Sequence, residues 1–189
     1  MSAFPRLTAS PARLPLDNVD TDQLIPARFM SRARSEGYGA VLLHDLRKKD
    51  PAARLPDGAS ILIAGRNFGC GSSREAAVYA LFDFGIRVVL APSFGDIFAS
   101  NAVNNGVLPA VIPADRLARL EGEITVDLER VEITHSGGKI GFEIDPVWRT
   151  KLLNGWDDID LTAQHAQAIA SFKAAHHARA PWTRPMILG

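Results

Sequence analysis

From Ser60 to Ile112 the chain alternates short apolar runs with amphipathic stretches, and this ordering constrains the fold more than any other feature. "SILIAGR" (60–66), "IRVVLAP" (86–92) and "VLPAVI" (107–112) are continuous apolar runs of strand length. Strands of this kind are buried on both faces, as in a parallel sheet. Between them, "REAAVYALFDFG" (74–85) sets Ala77, Ala80, Leu81 and Phe84 at helical spacing and stops at Gly85. "SFGDIFASNAVNNG" (93–106) predicts a second helix closed by Asn104, Asn105 and Gly106. A β-α-β-α-β order implies parallel strands joined by crossovers.

The flanks differ. Residues 1–20 are interrupted by Pro5, Pro11 and Pro15 and are expected to be extended or looped. Residues 31–58 read as a basic loop, one short helix and a proline-rich connection. "EITVDLERVEITH" (123–135) alternates at period two, and "SGGK" (136–139) turns it into "IGFEI", a hairpin or meander. "DPVWRTKLLNG" (145–155) predicts a short helix and "DLTAQHAQAIASFKAAHHA" (160–178) a longer one, approached and capped through Asp157, Asp158 and Asp160. The proline-rich tail from Arg179 is expected at the surface. The expectation is one α/β domain over residues 1–189, with a mostly parallel central sheet and an additional antiparallel part.

Composition excludes several functional classes. Lys plus Arg equals Asp plus Glu at 21 each, so the basic excess usual for nucleic-acid binders is missing. Cys70 is the only cysteine. It cannot form an internal disulfide, nor can it alone hold a structural zinc or an iron–sulfur cluster. No apolar run approaches membrane-spanning length, and the first twenty residues lack a signal-peptide core. A cytoplasmic protein is expected.

"NFGCGSSREAA" (67–77) sits where a strand gives way to a helix. Ser72 and Glu75 have capping-box spacing, and Gly69 and Gly71 allow a tight turn. As a phosphate cradle it is poor. G-x-G-x-x-R lacks the third glycine of a dinucleotide fingerprint and the G-K-[ST] of a P-loop. A helix start with Arg74 nearby still suits an anion, carboxylate included. A third reading joins both features. Ser72 lies among N–H donors able to stabilise an alkoxide, and Arg74 is placed to hold a carboxylate, an arrangement for removing a proton beside a carboxylate.

Four segments, "DNVDTDQLIPARF" (17–29), "GYGAVLLHDLR" (37–47), "NFGCGSSRE" (67–75) and "LLNGWDDIDLT" (152–162), resemble in order the signatures of the 3-isopropylmalate dehydratase small-subunit family, relatives of the aconitase C-terminal swivelling domain. The resemblance implies a β/β/α swivelling fold and a hydro-lyase of leucine biosynthesis that interconverts 2- and 3-isopropylmalate. It implies a large-subunit partner, in a heterodimer or heterotetramer, that carries a 4Fe-4S cluster, consistent with the single cysteine here. By the same resemblance Ser72 is the base, Arg74 binds a substrate carboxylate, Ser73 donates to the substrate, and Thr21 and Asp22 match a substrate-binding pair near the active site, with Asp22 orienting a substrate-binding group. Residues 28–38, "RFMSRARSEGY", match the specificity loop, making Arg28, Arg32 and Arg34 candidate carboxylate contacts; a solvated basic loop is the plainer reading of each.

Ala76 departs from the family, which usually has histidine there. That leaves open a lost packing or hydrogen-bonding group behind the serine loop, or a paralogue acting on citramalate, dimethylmalate, homoaconitate or aconitate. A non-catalytic anion-binding or regulatory module is the alternative from another class.

Overall fold

The computed structural model describes residues 3–184. The chain divides into two compact units, Met1–Trp156 and Asp157–Gly189.

The first unit contains strands β1 (Arg6–Ala9), β2 (Ala12–Leu14), β3 (Ile61–Ala64), β4 (Val88–Ala91), β5 (Leu108–Val111), β6 (Ile124–Asp127), β7 (Glu132–His135) and β8 (Gly138–Gly141). Its helices are α1 (Thr21–Leu24), α2 (Leu46–Lys49), α3 (Glu75–Phe84), α4 (Asp96–Asn104), α5 (Ala114–Leu117) and α6 (Pro146–Asn154). The second unit contains α7 (Asp158–Ala163) and α8 (Ala166–Arg179).

Two four-stranded sheets form, one parallel in the order β2-β3-β4-β5, the other antiparallel in the order β1-β6-β7-β8. The fold is α/β with parallel and antiparallel parts, as the alternation predicts. The proline-broken N-terminus is more ordered than expected: β1 joins the antiparallel sheet and β2 the parallel one, with Pro11 between them. Pro109 sits in β5, an edge strand, where a missing N–H costs least.

Side-chain alternation in the parallel strands sorts the core into two layers. Leu62, Ala64, Val89 and Ala91 face a cluster with Ala77, Val78, Ala80 and Leu81 of α3 and Phe98 and Ala102 of α4. Ile61, Ile63, Val88, Leu90, Leu108 and Ala110 face the other cluster, with Ile124, Val126, Ile133 and Ile140 of the antiparallel sheet. The layers are therefore sheet, sheet and helix. The continuous apolar runs follow from this, because both faces of β3 and β4 are covered. Each fully buried Leu, Ile or Val contributes about 1.5–3 kcal/mol relative to exposure.

The alternating run 123–135 is two strands. Asp127 accepts from the Arg130 backbone N–H at 2.9 Å, and Val131 takes φ 55°, so the chain turns between β6 and β7. α3 ends at Gly85 (φ 120°) and α6 at Gly155 (φ 69°), as read from the sequence. The long C-terminal helix is divided: α7 and α8 meet at His165, and Asp157 caps α7 by accepting from the backbone N–H groups of Ile159 and Asp160. The proline-rich tail beyond Arg184 lies outside the described residues.

Gly69 shows how tightly the turn after β3 is built. It has φ +73°, and a Cβ there would lie 2.1 Å from Phe98 Cγ. Gly69→Ala is expected to lower the unfolding free energy by about 2–4 kcal/mol, from overpacking and left-handed strain together. Gly58→Ala, also at positive φ but with nothing within 4 Å of the added Cβ, should lose only about 1 kcal/mol. Urea midpoints at unchanged slope read the difference.

Candidate active site

The turns that follow β2, β3 and β4 continue the parallel sheet beyond its C-terminal edge. Gly69 N–H donates to Val19 O at 2.8 Å and Thr21 N–H to Cys70 O at 3.0 Å. On the other side Phe68 N–H donates to Ser93 O at 3.1 Å and Gly95 N–H to Phe68 O at 2.9 Å. Three loops are thereby stitched side by side, with 67–71 in the middle. The carboxyl edge of such a sheet is where α/β folds carry ligand sites. Gly95 allows the close approach, since a Cβ there would lie 2.7 Å from Gly69 O. Cys70 serves through its carbonyl.

Asp17 ties the outer loop to the middle one. It accepts from the Arg66 backbone N–H at 2.7 Å and from the Arg66 guanidinium at 3.0 and 3.1 Å. These bonds, the backbone one first, hold its carboxyl below the usual range. Asn67, at φ 54°, donates its amide to Asn18 Oδ1 at 2.9 Å.

Gly71 (φ +93°) then turns the chain back over α1. Ser72 Oγ lies 3.1 Å from Thr21 Oγ1, and Thr21 Oγ1 also donates to Ser72 O at 3.3 Å. Ser72 and Ser73 are exposed while Thr21 is buried. Arg74 Nη1 pairs with Asp22 Oδ1, and Nη2 and Nε of the guanidinium engage no partner among the described residues. Two neighbours on α1 thus meet two residues of the turn before α3, serine on threonine and arginine on aspartate. The backbone N–H groups of Ser72, Ser73 and Arg74 donate to no acceptor among the described residues. The arrangement offers an exposed hydroxyl, free amide donors and a guanidinium within three consecutive residues.

The capping box does not form. α3 begins at Glu75 with Arg74 at its cap, no side chain caps it, and Glu75 Oε1 accepts from Asn105 Nδ2 at 2.9 Å. Ser72 is therefore free of that duty. Ala76 is buried in the apolar layer beneath α3.

Residues 27–53 form a series of single helical turns, 27–29, 34–36, 39–41, 46–49 and 51–53, where a loop and one helix were expected. Two of its three candidate arginines are already committed. Arg28 makes two bonds to Asp45, at 2.7 and 2.6 Å. Arg34 makes two to Asp83 of α3, at 2.6 and 2.9 Å, and lies 4.4 Å over the Tyr79 ring. Asp83 also accepts from Tyr38 N–H at 2.8 Å. Arg32 makes no ion pair among the described residues and rests 5.1 Å over the Phe29 ring. Asp45, Asp83, Asp17, Asn67 and Phe98 escaped sequence reasoning. Only Asn67, a residue type tolerant of positive φ before a glycine turn, carried a local signal.

Comparison with known proteins bears on the chain as a whole. Residues 49–115 match the aconitase C-terminal domain family, and residues 158–185 match the C-terminal domain of the 3-isopropylmalate dehydratase small subunit. A 3-isopropylmalate dehydratase small subunit of Gluconacetobacter diazotrophicus is 45% identical over 206 residues, covering 100% of both chains. That of Paramagnetospirillum magneticum is 43% identical over 96% of this chain and 100% of its own. The chain belongs to the 3-isopropylmalate dehydratase small-subunit family. The crystal structure of 3-isopropylmalate dehydratase from Methanocaldococcus jannaschii matches the fold with a TM-score of 0.69 at 27% identity, covering 89% of this chain and 99% of that one. The layered sheet, sheet and helix arrangement is that of this family's swivelling domain.

An iron–sulfur cluster does not fit on this chain by itself. Cys70 is its one thiol, and no group of three His, Cys, Asp or Glu side chains able to hold a metal occurs among the described residues.

The Arg34–Asp83 brace ties the 34–38 turn to α3. Arg34→Ala is expected to destabilise the protein by about 1–2 kcal/mol, because it strips charge-assisted bonds from a carboxylate only 18% exposed. Arg32→Ala should stay within about 0.5 kcal/mol of the parent. Equilibrium urea unfolding of the two variants tests the distinction.

Proposed function

We propose that this chain is the small subunit of a hydro-lyase that converts 2-isopropylmalate to 3-isopropylmalate by dehydration and rehydration in leucine biosynthesis. Residues 1–189 act as one subunit, in a heteromer with a cluster-bearing large subunit. The observation that carries the reading is the pairing of Ser72 with Thr21 and of Arg74 with Asp22, in a chain 45% identical end to end to a named small subunit.

Ser72 Oγ takes the proton from the carbon beside a substrate carboxylate. The C–H bond breaks, an O–H bond forms on Ser72, and the released electron pair becomes the new C=C bond as the hydroxyl departs from the adjacent carbon. In this reading departure of that hydroxyl is the part of the cluster-bearing large subunit. The backbone N–H groups at 72–74 stabilise the serine while it is ionised. Arg74 binds a carboxylate through the guanidinium nitrogens that Asp22 leaves unengaged, and Asp22 fixes the plane of the fork. Ser73 donates to the substrate from the same turn. Arg32, which makes no ion pair among the described residues, is the remaining candidate contact in the 28–38 segment; Arg28 and Arg34 would first have to leave their aspartates.

No helix among the described residues is long and apolar enough to cross a membrane. A single cysteine suits a reducing compartment, and the cytoplasm is the proposed location.

Anaerobic reconstitution with a large subunit, following unsaturated product in the ultraviolet, tests the reading. Turnover is expected only with both chains. Ser72→Ala should lower kcat by about 10²–10⁴-fold with little change in KM, while Arg74→Lys should raise KM and lower kcat. A Ser72→Ala complex as fast as the parent would remove the assigned base. Turnover of citramalate or dimethylmalate in preference to isopropylmalate would reassign the substrate and attach a consequence to Ala76.

A further inference from the structure

Thr21 is 1% exposed, so its hydroxyl has no open path to a substrate. Its backbone is held at both ends: the N–H donates to Cys70 O and the carbonyl accepts from Ile25 N–H, each at 3.0 Å. Among the described residues Oγ1 hydrogen-bonds to a single residue, through two atoms. Ser72 Oγ is 3.1 Å away and Ser72 O is 3.3 Å away.

A threonine hydroxyl has one proton and two acceptor lone pairs. It can therefore donate to one of these atoms at a time. While Ser72 carries its proton, the two acceptors are a carbonyl and a neutral hydroxyl, and the serine can itself donate to Thr21 Oγ1. Once Ser72 is ionised, its Oγ becomes the stronger acceptor. Rotation about the Thr21 Cβ–Oγ1 bond then carries the threonine proton from the carbonyl to the serine oxygen, with no heavy atom moving.

We infer that Thr21 is a positioning residue that acts through Ser72: a buried, rotating donor that stabilises the ionised serine and releases it when the serine takes the substrate proton. This rests on the reading of Ser72 as the base. Thr21 neither gains nor loses a proton over the cycle; the proton from the broken C–H bond ends on Ser72 Oγ. The role differs from the substrate contact expected of Thr21 from family resemblance, and burial is what separates the two. The sign of its effect on titration follows directly. Removing a donor to the charged form raises the pH at which Ser72 ionises.

The test uses the reconstituted complex with the parent chain, T21V and T21S. T21V keeps the branched shape and loses the hydroxyl; T21S keeps the hydroxyl and loses the methyl. For T21V, kcat should fall by about 10–100-fold, the worth of one hydrogen bond to an ionised oxygen. KM should stay within about twofold, and the acidic limb of the kcat/KM profile should move to higher pH. T21S should retain kcat within a few-fold and keep the parent's limb. An unshifted limb in T21V, whatever its rate, or a T21S as slow as T21V, would overturn the inference while leaving Ser72 as the base. A parent complex with a loaded cluster and no turnover on any of these diacids would instead overturn the function itself, and this inference with it.

Discussion

Everything at the site depends on backbone hydrogen bonds that run past the ends of the parallel strands. The bonds from Gly69 to Val19, Thr21 to Cys70, Phe68 to Ser93 and Gly95 to Phe68 hold three loops in one plane. A loop held on both sides by neighbours cannot drift, and a serine on it keeps its distance from the threonine beneath. The glycines are the condition for this. At 69 and 95 any side chain would collide, with Phe98 in one case and with the Gly69 carbonyl in the other. The geometry of the candidate site is thus set by main-chain pairing, with side chains filling in.

The layers beneath explain why that plane is firm. β3 and β4 are buried on both faces, by α3 and α4 on one side and the antiparallel sheet on the other. Their C-terminal ends are therefore fixed points. α3 starts one residue after Arg74 without any side-chain cap. The residues a helix would ordinarily use for capping are released to face outward, and the polar groups left there are those an anionic substrate needs. This is a local weakness in helix formation placed where chemistry is proposed, and rules of local consistency are expected to fail at such places.

The strands and helices from Ser60 to Ile112 were legible because a buried strand writes itself as an unbroken apolar run and a covering helix as a spaced one. The N-terminal strands were not. β1 and β2 are short edge strands among prolines, and their pairing with β6 and β3 is a long-range property that local sequence does not carry. The same holds within the site. Ser72 and Arg74 stood out by type and spacing, whereas the placing of Thr21 under Ser72 and Asp22 on Arg74 joins residues about fifty positions apart. Family resemblance named all four; only the fold says which one is buried. The commitment of Arg28 and Arg34 to Asp45 and Asp83 was likewise invisible in a run that reads as solvated basic loop.

The most direct measurement is a crystal structure of the complex of both subunits with a non-reacting analogue of isopropylmalate. The account predicts a ligand carboxylate on the Arg74 guanidinium, Asp22 still paired to it, and Ser72 Oγ within hydrogen-bond reach of the carbon that loses its proton, with Thr21 buried behind. A ligand bound away from residues 72–74, with Ser72 facing the protein interior, would contradict it.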